Sequence, residues 1–211
     1  MDNVRFGLAV AFPGRLRLRG VDPCANVRCG SVGTCVEEDG AARCECPAGY
    51  QASGTECVRE LPKASTLATA LESPPNHQNY LNFRTMTVEN NSTDYDLRAF
   101  EDPAAGGMAL ALGPGVAEVN LGSLRSFHEV ERAPADGYQT DAPAQNNYVI
   151  GNGFATGGNY EQGYTMSWKV YVLKLSDGTY AKLQVQSALR GVMQIWAFRQ
   201  AAGGDDIATR P

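Results

Sequence analysis

Residues 168–186, Trp-Lys-Val-Tyr-Val-Leu-Lys-Leu-Ser-Asp-Gly-Thr-Tyr-Ala-Lys-Leu-Gln-Val-Gln, decide the fold class of most of this chain. The first run, Trp168 to Leu175, is dense in β-branched and aromatic residues. The second, Tyr180 to Gln186, alternates strictly and puts Ala181, Leu183 and Val185 on one face. A strand turns successive side chains to opposite faces, so a period of two reads as half-buried β structure. Asp177-Gly178 between two such runs is the strongest short-range signal for a hairpin. The first run is apolar on both faces, which predicts an inner strand. Val192 to Arg199, carrying Met193, Ile195, Trp196 and Phe198, supplies one more strand.

Further out the pattern stays β. Asn79 to Glu89 holds Tyr80, Leu81, Phe83, Met86 and Val88 with polar residues between, and Asn90-Asn91-Ser92 breaks the run. Asp94 to Phe100 alternates, which would set Asp94 and Asp96 on one solvated strand face. Pro103 to Gly107 reads as a loop, and so does the Gly-rich stretch from Gly151 to Gly163. The roughly 140 residues from Ala70 onward are enough to bury a core of their own.

The amino-terminal part follows other rules. All six cysteines of the 211 residues lie between Cys24 and Cys57, spaced Cys24-x4-Cys29-x5-Cys35-x8-Cys44-x-Cys46-x10-Cys57. An even set in so short a stretch is a disulfide framework, because a segment of this size cannot hold together on apolar burial alone. Spacing by itself leaves 15 pairings open. A zinc site is disfavoured, since no Cys-x2-Cys pair or nearby histidine offers the usual ligand spacing. Asp22-Pro23-Cys24, Gly33-Thr34-Cys35, Cys44-Glu45-Cys46-Pro47 and Gly49-Tyr50 make residues 21–58 resemble an EGF-like module. The resemblance implies the pairs Cys24–Cys35, Cys29–Cys44 and Cys46–Cys57. Calcium is not favoured: the segment before Cys24 offers one carboxylate, and Glu37, Glu38 and Asp39 read as a solvated hairpin tip.

The remaining segments are connectors. Residues 1–20 make a poor export signal, with a short apolar patch and its arginines behind it, and read as a misassigned start. Residues 59–76 read as a linker, in which 64–72 could form about two helical turns before Pro74-Pro75. Residues 201–211 read as a disordered tail. A net charge of −5 with interspersed signs argues against a nucleic-acid or anionic-membrane binder. No apolar run approaches the roughly 18 residues of a membrane span. Disulfides place the chain outside the cytoplasm, whether secreted, periplasmic or at the cell surface.

Four stretches carry a second resemblance: Thr93 to Phe100, Val130 to Tyr138 with its Pro134-Ala135-Asp136-Gly137-Tyr138 turn, Tyr148 to Gly151, and Val170 to Val185. In this order, over residues 77–199, they resemble the HmuY family of bacterial haem-binding proteins. The resemblance implies an all-β domain of antiparallel hairpins. It implies haem as cofactor, gripped through axial ligands between the Asp-Gly-Tyr turn and the last hairpin, and a surface receptor or protein partner. This chain departs from the pattern, having only His77 and His128 and no histidine between Pro134 and Trp168. The haem-ligand candidates are therefore His128, Met166, Tyr164 and His77, because a thioether or a phenol also binds haem iron. Against three of them stands a plainer role: loop for His77, strand end for His128, core filling for Met166. No nucleophile elbow, zinc-protease motif or phosphate loop occurs, so no enzyme is expected. The alternative reading is a surface interaction or adhesion protein that keeps the HmuY-like fold without haem ligation.

Overall fold

The computed structural model describes residues 22–70, 78–102 and 107–211. The misassigned start expected over 1–20, the Pro74-Pro75 stop and His77 lie outside these residues. The chain divides into two compact units, residues 1–60 and 61–211. The described part of both is built of antiparallel strands.

In the smaller unit β1 (Thr34–Glu38) pairs with β2 (Ala41–Glu45), and β3 (Tyr50–Ser53) pairs with β4 (Glu56–Arg59). Asp39 and Gly40, both at positive φ (54° and 82°), close the first hairpin in the two-residue turn that a right-handed strand twist prefers. Disulfides join Cys24 to Cys35, Cys29 to Cys44 and Cys46 to Cys57. The only apolar residues this unit buries among those described are Cys29 and Cys44, so its cross-links stand in for a core.

The larger unit is a two-layer β structure. One sheet runs in the order β10 (Ala117–Asn120), β13 (Tyr171–Lys174), β14 (Tyr180–Leu189), β15 (Val192–Arg199), β5 (Ser65–Ala68). The other runs β7 (Thr87–Glu89), β6 (Gln78–Asn82), β8 (Leu97–Asp102), β9 (Gly107–Leu112). Leu183, Val185, Tyr171, Leu173 and Ile195 of the first meet Leu81, Leu97, Met108 and Leu110 of the second in one buried cluster. The opposite face of the five-stranded sheet carries a smaller cluster, in which Val170, Val172 and Phe198 pack under Phe127, Val130 and Ile207. The inner position read for the 168–175 run follows from this: β13 lies between β10 and β14, buried on both sides.

A bulge after Val185 keeps the long strand β14 productive. The register passes from Val185↔Ile195 to Ser187↔Gln194, and the extra residue lets Ala188 return to the core face. Asp177-Gly178 does lie in the β13–β14 connection, yet within a five-residue loop, Leu175–Thr179, in which Asp177 Oδ1 accepts from the Thr179 amide and hydroxyl.

Several expectations are corrected. Residues 64–72 make no helix through Ala70: Ser65–Ala68 form edge strand β5, paired with β15 from Ala68↔Gln194 to Ser65↔Ala197. Residues 61–70 fall within the larger unit, where Leu67 and Thr69 are buried. Residues 201–211 are no disordered tail: Ile207, Ala208 and Thr209 are buried, and the Ile207 amide donates to Glu131. The stretch 151–163 is only partly loop, since Ala155–Asn159 (β11) pairs with Gly163–Met166 (β12). Asp94 and Asp96 precede β8 rather than sharing its face. Asp94 is exposed and paired to Arg84, while buried Asp96 accepts from the Phe83 amide at 2.8 Å.

Leu183→Ala removes a fully buried side chain between the two sheets and is expected to cost about 2–5 kcal/mol. Both tryptophans lie in the larger unit, so the tryptophan-detected urea midpoint reads this loss apart from the disulfide unit; an unchanged midpoint would contradict the packing.

Candidate functional site

His128 sits in a short 3-10 turn, Phe127–Glu129, whose start is closed by Ser126 donating its amide to Glu129 Oε2 at 2.7 Å. The turn is held to the sheet from below. Lys182, fully buried, donates from Nζ to the carbonyls of Phe127 and Val130, each at 2.8 Å, with the ammonium 4.5 Å from the centre of the Phe127 ring. Burial pushes this lysine down to about 8, against the pull of Glu131 and Asp206. Alternation alone placed Lys182 on the solvated face of its strand. The segments around Phe127 and Ile207 cover that face, and only their carbonyls satisfy the ammonium.

The half-buried His128 ring engages Thr209 Oγ1 through Nδ1 at 3.1 Å, and its centre lies 5.4 Å from that of Trp196. Burial first, and then the charge of Lys182, hold the imidazole below its usual pKa, so it is neutral at pH 7 with Nε2 as its remaining nitrogen. Trp196 stands on β15 between Ile195 and Ala197, both core residues, so its indole emerges on the outer face and stays about one-third exposed (36%). His128, Trp196, Ala64, Pro211, Lys63 and Arg210 line a cleft of about 330 Å³. Lys63 and Arg210 are neighbours through an isolated parallel bridge.

The other candidates lie elsewhere. Met166 is buried in the main core, and Tyr164 packs beside it, its hydroxyl accepting from the Met108 amide at 3.0 Å. Both belong to the inner side of the five-stranded sheet, whereas His128 belongs to the outer side, so the structure does not bring them to a shared iron position. Of the remaining tyrosines in this stretch, Tyr148 meets Phe100 edge to face and Tyr160 packs against the core. Among the described residues no group of three or more histidine, cysteine or carboxylate side chains is arranged to hold a metal ion.

Two polar groups that periodicity does not reveal lie under the 139–153 segment. Glu118 is buried on β10, with Oε1 lacking a partner, and burial together with nearby Asp141 pushes its carboxyl up to about 7, Lys169 opposing. The Tyr171 hydroxyl beside it is buried as well, with Ser167 close by. Asp141 itself organises the segment, accepting from the amides of Leu112 (2.7 Å) and Val149 (2.8 Å). A carboxyl whose folded pKa is raised stabilises fully below its unfolded value and costs stability as pH rises through the folded one. The chain is therefore expected to lose stability between about pH 4.5 and 7 through Glu118. Glu118→Gln removes that slope, gaining up to about 3 kcal/mol on the parent between pH 5 and 8. Urea unfolding at the two pH values checks this, and parallel profiles for parent and variant would refute it.

No family model and no curated protein matches the chain. Solved structures do. A HmuY-like haem-binding protein from Bacteroides vulgatus is 15% identical, with a TM-score of 0.45 over 64% of this chain and 90% of its own. The apo HmuY analog of Tannerella forsythia is 13% identical, with a TM-score of 0.49 over 67% and 98%. Apo PinO from Porphyromonas gingivitis is 9% identical, with a TM-score of 0.48 over 67% and 99%. This chain is similar to them in the course of its all-β backbone.

Proposed function

We propose that this chain is an exported or cell-surface haem-binding protein whose larger unit grips one face of the ring at the His128 cleft. The observation that carries the reading is the His128 imidazole, held through Nδ1 by Thr209 and flanked by an exposed indole, at an open cleft. The residues fit haem on one side. His128 Nε2 would serve as the axial ligand, Trp196 would lie against the apolar ring, and haem would supply the iron and its propionates. A cleft of about 330 Å³ is at the small end of ligand pockets and leaves much of the ring outside. The fit does not extend to Met166 or Tyr164. The cross-linked unit reads as an EGF-like module that spaces or docks the binding unit, and the three disulfides support a place outside the cytoplasm. No described helix is long and apolar enough to cross a membrane.

A surface interaction or adhesion protein is the second reading. It is favoured by one fact: the residues lining the cleft include no histidine, methionine, cysteine or tyrosine besides His128.

Titration with haemin decides between the two. A sharpened, red-shifted Soret band is expected, weakened at least tenfold in His128→Ala and retained in Met166→Leu. No Soret change in either redox state, or equal binding by His128→Ala, would leave the adhesion reading.

A further inference from the structure

We infer that Lys63 and Arg210 form a paired carboxylate-binding rim, so that the cleft takes a planar aromatic ring bearing acid groups and recognises the acids independently of any metal. The inference rests on the haem reading only in choosing a porphyrin as the aromatic acid.

The backbone makes the pair. Lys63 and Arg210 face each other across a parallel bridge, and the Arg210 amide donates to Pro62. Bridge partners point their side chains to the same face, so an ammonium and a guanidinium stand side by side. Like charges so placed repel and are a cost to the fold. Neither has a carboxylate partner among the described residues, although this chain has 23 acids to 18 bases. Five other arginines do have carboxylate partners: Arg43 with Glu38, Arg84 with Asp94, Arg132 with Asp205, Arg190 with Glu161 and Arg199 with Asp177. Lys63 and Arg210 line the cleft that also presents the Trp196 indole.

The lining divides by chemistry. Trp196 and Ala64 offer an apolar wall, and His128, held neutral, adds no charge of either sign. Positive charge is concentrated at Lys63 and Arg210, and the buried ammonium of Lys182 reinforces it from beneath. A guanidinium fork meets a carboxylate with two parallel hydrogen bonds, and a lysine adds a point charge. A flat ring against the indole with an acid at its edge satisfies both halves at once.

Metal-free protoporphyrin separates this recognition from iron coordination. Quenching of tryptophan fluorescence in the whole chain is measured with protoporphyrin free acid, with its dimethyl ester and with haemin, for the parent and for Lys63→Gln/Arg210→Gln. Both residues are exposed, so the double variant is expected to keep the parent's thermal midpoint. The free acid should bind, the ester about tenfold or more weakly, and the variant should bind the acid no better than the parent binds the ester. Equal binding of acid and ester, an unaffected variant, or no binding of either porphyrin overturns the inference. If haemin shows a His128-dependent Soret shift while acid and ester bind alike, the haem reading stands and this one falls. If the acid binds through Lys63 and Arg210 while haemin gives no iron coordination, this one stands and the haem reading falls.

Discussion

The buried ammonium of Lys182 ties the outer face of the larger unit together. Taking a lysine out of water costs several kcal/mol unless its donors are met. Here the carbonyls of Phe127 and Val130 meet two of them, and the Phe127 ring covers the charge. Neither carbonyl would find a partner there if the 3-10 turn lay elsewhere. The position of His128, between those two carbonyls in sequence, is thus set by a residue on β14 more than 50 positions later.

The five-stranded sheet is consequently used on both faces. Its inner face packs against the four-stranded sheet in a layer of aliphatic side chains. Its outer face is covered over Val170, Val172 and Phe198 and open around Trp196. The cleft lies at the border of the covered and open parts. Cover ends there because β5, the last strand on that side, turns Thr66 and Ala68 outward, residues too small or too polar to hold another apolar layer.

The inner strands were legible from residues alone because they obey one simple rule. Ala181, Leu183 and Val185 alternate, and alternation has a single structural meaning when one face must be dry. The disulfide unit was legible because six cysteines in so short a segment, without zinc-ligand spacing, leave cross-linking as the reading. The misreadings share a cause. Ser65–Ala68 and Ala155–Asn159 are short strands with few β-formers, and they become strands only because a neighbour offers unpaired backbone groups. Ile207 to Thr209, in a segment rich in Gly and Asp, is ordered by an apolar hole beneath it. Met166 and Tyr164 were plausible ligands by chemistry, and lie instead where the core needs bulk.

By itself the sequence determined the strand-rich class of the chain, the inner rank of 171–174 and the confinement of its cross-links to the first 57 residues, since periodicity and covalent chemistry are local properties. Only the tertiary structure decided which side of the sheet each candidate ligand occupies, that Lys182 is buried, and that Lys63 stands beside Arg210. Those facts depend on segments far apart in the chain covering one another, and no local pattern encodes which ones meet.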